Sequence, residues 1–432
     1  MISPSDILGM NARQSNYTSQ NSKTAQEICS SKYATKILLQ SKQIPTAELH
    51  GIFTTIEDFD NFNWLKMTNN FVIKPTNGNA GKGVIVFKKK NEKKMEWTDA
   101  LGKVWNLDDI KWHCSNILEG QYSTYGGQHY AIVEERVLIH PKLLKYTYRG
   151  TPDVRVIVYN SVPVMALLRL PTKESEGRAN QSQGAIGVGI DMATGITTYA
   201  AANLRNLIRF LPNTKKKLNG IKIPRWNELL KTAVIATNAA DLNYSGIDLF
   251  IHETKGPMVV ELNANPGLSI QIANKAGLRR RLERVEDLNV RNPEHGVKIS
   301  QALFAESFAD KIKAEDGLTI INPKENVIVF GEQKKQLDLP ALISTGRFRS
   351  AISSKVASEL GLIDLNDLLW FQQEKDEGKV PVVEVKFKLK HRTIKTAMIV
   401  SKTLNKSRYK LKIGRKDLIS FLVRSETLNG NN

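Results

Sequence analysis

Cysteine is nearly absent from this sequence: Cys29 and Cys114 are the two among 432 residues. They stand far apart in unrelated contexts, which excludes a disulfide framework and a cysteine-rich metal site. Long apolar runs are missing too. No stretch approaches the roughly 20 apolar residues that a membrane helix requires, and the opening MISPSDILGMNARQSNY lacks a basic segment followed by an apolar one. A soluble cytoplasmic protein with reduced thiols is expected. Histidine is scarce, with seven residues, none in a catalytic arrangement. Acid is the minority charge: 43 Asp and Glu face 62 Lys and Arg, for a net charge of +19.

What remains is ordinary globular composition, 41% hydrophobic and 24% charged with 15 Pro and 28 Gly. The length supports two or three domains with proper cores. The basic surplus raises the question of nucleic acid or another polyanion as partner, but it is spread out. Residues 326–432 hold 20 basic and 11 acidic residues, an excess of 9. The densest run, Lys88-Lys89-Lys90 with Lys93-Lys94, adjoins Asn91 and Glu92 and reads as a solvated loop. No docking motif accompanies the charge, so nucleic acid is not an expected partner.

Apolar spacing predicts helices over 24–42, 56–68, 226–241 and 269–285, and one more around 299–314. Arg279-Arg280-Arg281 in the fourth reads as a solvated face. Residues 289–325 read as a bridge, and 326–425 as a compact, mostly β domain with a helix at 351–361.

Tyr244 to Gly267 is the most informative stretch. Two apolar runs, Gly246 to His252 and Met258 to Leu262, are joined by Glu253-Thr254-Lys255-Gly256-Pro257, the signal of a β-hairpin. Folding about Thr254-Lys255 sets Asp248 opposite Glu261, and Asn263 lies two residues on, toward the same face. Two carboxylates and an amide oxygen are hard ligands suited to Mg²⁺, or to Mn²⁺ in its place. The plain alternative is a hairpin with surface acids.

Three further stretches carry chemistry. In NFVIKPTNGNAGKGVIVFK, strand Phe71-Val72-Ile73 delivers Lys74, and a loop with Gly78, Gly81, Lys82 and Gly83 turns into a second strand. Strand–loop–strand is neither a Walker loop nor a Rossmann turn. Its free backbone N–H groups and two lysines suit a flap over a triphosphate, against the alternative of a glycine-rich hairpin without function. YAIVEERV reads as a buried strand ending in Glu134-Glu135. Asp153 and Arg155 enter a third strand and Arg169 a fourth; the polar, Gly-rich residues 171–195, with Arg178, Ala179 and Asn180, read as a functional loop.

Taken together, these stretches resemble the ATP-grasp superfamily, and most nearly its α-L-glutamate ligase-related group. ILGMNAR (7–13), FVIKPTNGNAGKGVIV (71–86), AIVEERV (131–137), PDVRVIVYNSVPVMALLRLPT (152–172), QGAIGVGIDMATG (183–195), GIDLF (246–250) and VVELNANPGLSIQIAN (259–274) carry the resemblance. It implies an α+β fold over 1–288, with a first part at about 1–68, in which two α+β lobes clamp ATP. It also implies that Lys36 and Lys74 touch phosphates beneath the Gly78–Gly83 flap. Glu135 and Arg136 fall at the adenine hinge, and Asp153 near the ribose or orienting a lysine. Arg178-Ala179-Asn180 fits the segment reaching the nucleotide and the acyl phosphate, Arg155 and Arg169 fit a carboxylate pocket, and Asp248, Glu261 and Asn263 fit Mg²⁺ ligands. The implied activity joins an amino acid, such as glutamate, to an amine of a protein or peptide acceptor. A departure is Gln181-Ser182-Gln183, where the family commonly has a histidine.

LPALISTGRFRSAI (339–352) and YKLKIGRKDL (409–418) resemble a retropepsin-like domain of the type called ATP-dependent zinc protease. The Asp-Thr-Gly that such chemistry requires stands here as Ser344-Thr345-Gly346, and serine cannot serve as that base. A non-catalytic, peptide-binding domain is expected. The alternative for the whole chain is a catalytically silent nucleotide-binding scaffold.

Overall fold

The computed structural model describes residues 4–77, 81–123, 128–305, 319–363, 368–419 and 421–424. Gly78 lies outside the described residues, as do residues 306–314 of the last predicted helix. The chain divides into two units, 1–190 with 195–286, and 191–194 with 287–432.

The first unit holds two antiparallel sheets. Strands β1 (Leu49–Phe53), β2 (Phe71–Pro75), β3 (Ile85–Asn91), β4 (Glu96–Asp99), β5 (Val104–Trp105) and β6 (Ala131–Glu135) assemble in the order β1-β6-β2-β3-β4-β5. Their core is aromatic: Phe71 stacks on Phe87 at 4.5 Å between ring centres, with Trp64 and Trp97 against Phe71. Lys88 to Lys90 belong to β3 rather than to a loop. Alternation along that strand buries the Lys90 stem, and its ammonium stands 5.7 Å over the Trp97 ring.

The second sheet contains β7 (Asp153–Tyr159), β8 (Val162–Leu170), β9 (Ile186–Ile190), β10 (Thr197–Ala202), β11 (Asn206–Ile208), β12 (Tyr244–His252) and β13 (Gly256–Asn263), in the order β11-β10-β9-β8-β7-β12-β13. The helix Trp226–Ala239 packs on β12 and β13, burying Leu229, Leu230, Ala233 and Val234 completely. Five residues of the expected loop 171–195, Ile186–Ile190, are therefore sheet. All of Ile-Gly-Val-Gly-Ile in β9 is buried between β8 and β10, and a strand buried on both faces shows no polar alternation to read.

Two predicted helices are broken. Residues 24–42 form Lys23–Ser30 and Lys32–Ser41, because the Ser31 hydroxyl accepts from the Ala34 N–H and starts a new helix. Residues 269–285 form Ile270–Asn274 and Leu278–Glu283, parted at Lys275 with φ 45°. Within the second piece Arg281 is not solvated: it is buried, and its Nη1 donates to the Val164 carbonyl at 2.9 Å. The helix predicted over 56–68 is the single turn Ile56–Asp60 followed by a 3-10 turn, Trp64–Lys66.

The second unit contains β14 (Thr319–Ile321), β15 (Lys324–Phe330), β16 (Gln336–Ser344), β17 (Ala351–Ser353), β18 (Trp370–Glu374), β19 (Gly378–Leu389), β20 (Arg392–Ser401), β21 (Leu411–Gly414) and β22 (Phe421–Val423). The order β15-β16-β21-β17-β20-β19 closes on itself through β15–β19, giving a six-stranded barrel, with β18 paired to the first residues of β19. Val327, Val329, Phe387, Ile352, Met398 and Leu411 fill its interior. The helix predicted at 351–361 begins as β17, and Ser354–Glu359 alone is helical. The helix Pro293–Leu303 belongs to this unit, and the His295 Nε2 lies 2.8 Å from the Leu368 carbonyl.

Candidate active site

The hairpin at 244–263 forms in the predicted register, with Asp248 opposite Glu261 and Gly246 opposite Asn263. Leu249 then pairs with Val259, so Val260 is an extra residue, a bulge directly beside the acids. Across the sheet, Asp248 pairs with Arg155 and Asp153 with Arg169. Strand alternation puts all four on one face.

They form a continuous charged chain. Arg169 donates from Nε and Nη2 to Asp153 at 2.5 and 2.7 Å, and from Nη2 to Asp248 Oδ2 at 2.6 Å. Arg155 grips Asp248 from Nε and Nη2 at 2.6 and 2.7 Å. Burial pushes the Asp248 carboxyl up, but the two guanidinium groups outweigh it and hold the carboxyl low, at about 2. For Asp153, burial prevails over Arg169, with repulsion from Asp248 adding to it, and the carboxyl is pushed up. The chain is a fixed array of paired acids and bases rather than independent surface charges.

The first sheet supplies a second cluster. Lys74 on β2 and Lys36 on the helix Lys32–Ser41 converge on Glu134 of β6, at 2.5 and 2.7 Å. Lys36 also donates to the Ala47 carbonyl at 2.8 Å. Burial pushes Glu134 up and the two lysines overcome it, leaving the carboxyl below its usual range. Glu134 was not among the expected site residues. Its signal was parity: β6 pairs Glu134 with Val72, and Val72 shares a strand face with Lys74.

The remaining predicted residues lie around these clusters. Glu135 accepts from the Lys255 ammonium at 2.6 Å, which ties the hairpin turn to the end of β6. Arg136 Nη1 donates to Asn70 Oδ1 at 2.7 Å. Of the glycine loop, Gly81 and Gly83 have φ of 75° and 72°, and Lys82 is exposed. A methyl group on Gly83 would meet Tyr122 at 2.7 Å, and one on Gly81 would touch Arg178 at 3.4 Å. The His113 ring joins this loop, Nε2 lying 3.0 Å from the Gly83 carbonyl and Nδ1 3.3 Å from the Tyr122 hydroxyl. Ala179 is half-buried. Asn180 caps the turn Gln181–Gln183, its Oδ1 accepting from the Ser182 N–H at 3.0 Å.

The proposed metal ligands are all oxygens. Both Asp248 oxygens already accept guanidinium hydrogens, although a carboxylate offers about four acceptor positions. Glu261 is 40% exposed, with Lys32 3.9 Å away as its ion-pair partner. Asn263 Oδ1 accepts the Asn265 N–H at 2.9 Å. Among the described residues no three His, Cys, Asp or Glu gather to hold a metal, so the set depends on the amide oxygen of Asn263. It fits a hard cation that keeps several waters.

The chain was compared with known proteins. No curated relative matches it. Among solved structures, the ATP-grasp ligase PsnB complexed with a minimal precursor is 15% identical over 61% of this chain and 60% of its own, with a TM-score of 0.34. The D-alanine–D-alanine ligase from Bacillus anthracis complexed with ATP is 13% identical over 72% and 77%, with a TM-score of 0.34. D-Cycloserine synthetase DcsG is 12% identical over 60% and 70%, with a TM-score of 0.35. This chain thus spans less than two thirds of PsnB. Residues 12–287 match the profile of the sugar-transfer associated ATP-grasp family. That segment takes in both sheets and both charged clusters, and the chain belongs to that family.

Proposed function

We propose that this protein is an ATP- and Mg²⁺-dependent ligase that joins a carboxylate to an amine through an acyl phosphate. The observation that carries this reading is the chain Asp153–Arg169–Asp248–Arg155 beside Glu261 and Asn263, within a unit of ATP-grasp sequence. A carboxylate oxygen of the substrate attacks the γ-phosphorus, and the bond to the β,γ-bridging oxygen breaks to release ADP. The amine nitrogen then attacks the acyl carbon, the carbon–oxygen bond to phosphate breaks, and the proton leaves with phosphate or solvent.

Negative charge gathers in both steps, so cations fixed in advance lower the barrier. Lys36 and Lys74, locked on Glu134, face the phosphates without having to be recruited. Gly81 and Gly83 turn backbone N–H groups toward them, and Arg178 and Asn180 approach from the second sheet. Arg155 and Arg169 orient Asp248 and neutralise the substrate carboxylate. Asp248, Glu261 and Asn263 would hold Mg²⁺, which supplies charge neutralisation on phosphate oxygens. Glu135 and Arg136 would bound the adenine.

The added acid is proposed to be an amino acid such as glutamate, on the strength of the motifs at 71–86 and 246–274. The barrel is proposed to be a degenerate retropepsin-like module that binds peptide without cleaving it, because residue 344 is serine. The test is ADP release over a panel of amino acids and amine acceptors. ATP binding without amino-acid-dependent ADP would leave the scaffold reading standing instead. Glu261→Ala is expected to abolish turnover with the fold intact, since a half-exposed carboxylate is not core packing; near-normal rates in that variant would overturn the ligand set.

A further inference from the structure

Beside the turn after Asn180 lies an open depression of about 370 Å³, lined by Glu174, Gln181, Ser182, Gln183, Gly184, Asn203 and Leu204, within the ~300–1,000 Å³ usual for ligand sites. Its lining is unusual for this molecule. In a chain with 62 lysines and arginines, none is among the described residues that line it, so the lining offers no counter-charge to phosphate or carboxylate. Leu204 alone is apolar, so it does not suit a hydrocarbon either. Three carboxamides, one hydroxyl and one carboxylate remain. Carboxamides both donate and accept, as sugar hydroxyls do, and a carboxylate takes two hydroxyl donors.

The walls are held in place. A methyl group on Gly184, φ 98°, would meet the Glu174 Cγ at 2.7 Å, so the Glu174 stem rests on that glycine. Gln181, 7% exposed, accepts from the Ser269 hydroxyl at 2.7 Å and lies across Gly187. Asn203 and Leu204 both adopt left-handed backbone, φ 50° and 57°, a conformation a leucine rarely takes and one that gathers at ligand sites. Gln183 Oε1 is buried behind that wall with no hydrogen-bond partner among the described residues, an unmet acceptor that a small rotation of the side chain would present to a donor. The depression adjoins two segments of the candidate site in the chain: Asn180 caps the turn that forms its wall, and Ser269, bonded to Gln181, follows the Asn265-Pro266-Gly267 end of the hairpin.

We infer that this depression is the acceptor site and that it takes a hydroxyl-rich glycosyl unit, which as an acceptor would carry its amine outside these contacts. Its role as acceptor site rests on the ligase reading; the chemistry of what it binds does not.

Two probes test it on the full chain, methyl β-D-glucopyranoside and its 2-amino-2-deoxy analogue, followed by saturation-transfer NMR and calorimetry. Wild type is expected to bind both probes, since the hydroxyls recognised are common to them, and binding of the amino sugar alone would mean that Glu174 merely pairs with a cation and would overturn the assignment. Glu174→Gln and Asn203→Ala, both at exposed positions, are expected to weaken binding of both about tenfold, as for a lost hydrogen bond to a charged or amide partner, with ATP affinity unchanged. Absence of binding to wild type, or equal binding by the variants, overturns the assignment. ADP release separates the two readings. Glycoside binding without ADP from any amino acid removes the ligase and keeps the sugar site. ADP release with a dipeptide acceptor that neither variant alters removes the sugar site and keeps the ligase.

Discussion

Replacing Glu134 by glutamine would leave Lys36 and Lys74 facing one another without their shared counter-ion. Breaking a buried pair from one side costs about 3–5 kcal/mol, and here two cations lose their partner. Glu134→Gln is therefore expected to lower the melting temperature of the first unit and to raise KM for ATP, read by calorimetry and steady-state kinetics. The pH dependence carries a sign. The Glu134 carboxyl titrates below its usual 4.5 when folded, so its stabilisation is complete above that value and is lost as pH falls through the depressed one. Wild type should lose stability through that acid range, and the glutamine variant should show a flatter profile there. At Arg169 charge is not enough. One Nη2 reaches both Asp153 and Asp248, which a lysine ammonium cannot copy as a planar fork. Arg169→Lys should lower kcat by roughly 10²-fold, the cost of a misplaced reacting group; a rate within a few-fold of wild type would show that the fork is dispensable.

Among the elements, the glycine loop between β2 and β3 gives the clearest expectation. Gly83 has φ 72° and Tyr122 where a side chain would go, so Gly83→Ala is strained twice. It should raise KM for ATP several-fold and cost about 1–3 kcal/mol of stability in the first unit, the strain of a side chain in left-handed backbone. An unchanged KM beside that loss of stability would mean that the loop serves the fold and not the nucleotide. How much the sequence disclosed follows the same division. The hairpin at 244–263 could be read to its register, because Glu253 to Pro257 mark the turn and the acids fall at even spacing. The strand Ile186–Ile190 was hidden within a polar stretch because its glycines and full burial erase periodicity. The helix break at Ser31 turned on a single hydroxyl, a local competition that apolar spacing does not register. Glu134 escaped because, of the two acids ending that strand, the one that faces Lys74 is fixed by the pairing of β6 with β2, which the sequence does not show.

For the whole chain, two units with separate cores predict two unfolding transitions rather than one. Val329→Ala, inside the barrel at 0% exposure, should lower one of them by about 2 kcal/mol and leave the transition that an ATP analogue shifts unmoved; a single transition for wild type would count against separate cores. The barrel has a kinetic side as well. Its ring closes where β15 meets β19, Val327 against Leu389 and Phe330 against Lys386, segments far apart in the chain. Long-range pairing must bear loop-closure entropy before any contact rewards it, so this seam is expected to form after the local β19–β20 hairpin. Substitutions along it then act mainly on escape from the native state. Val329→Ala should steepen the loss of the barrel by raising its unfolding rate, with the refolding limb of the chevron scarcely moved. The seam that joins the first strand of the sheet to β19 thereby sets how long the barrel, once made, stays closed.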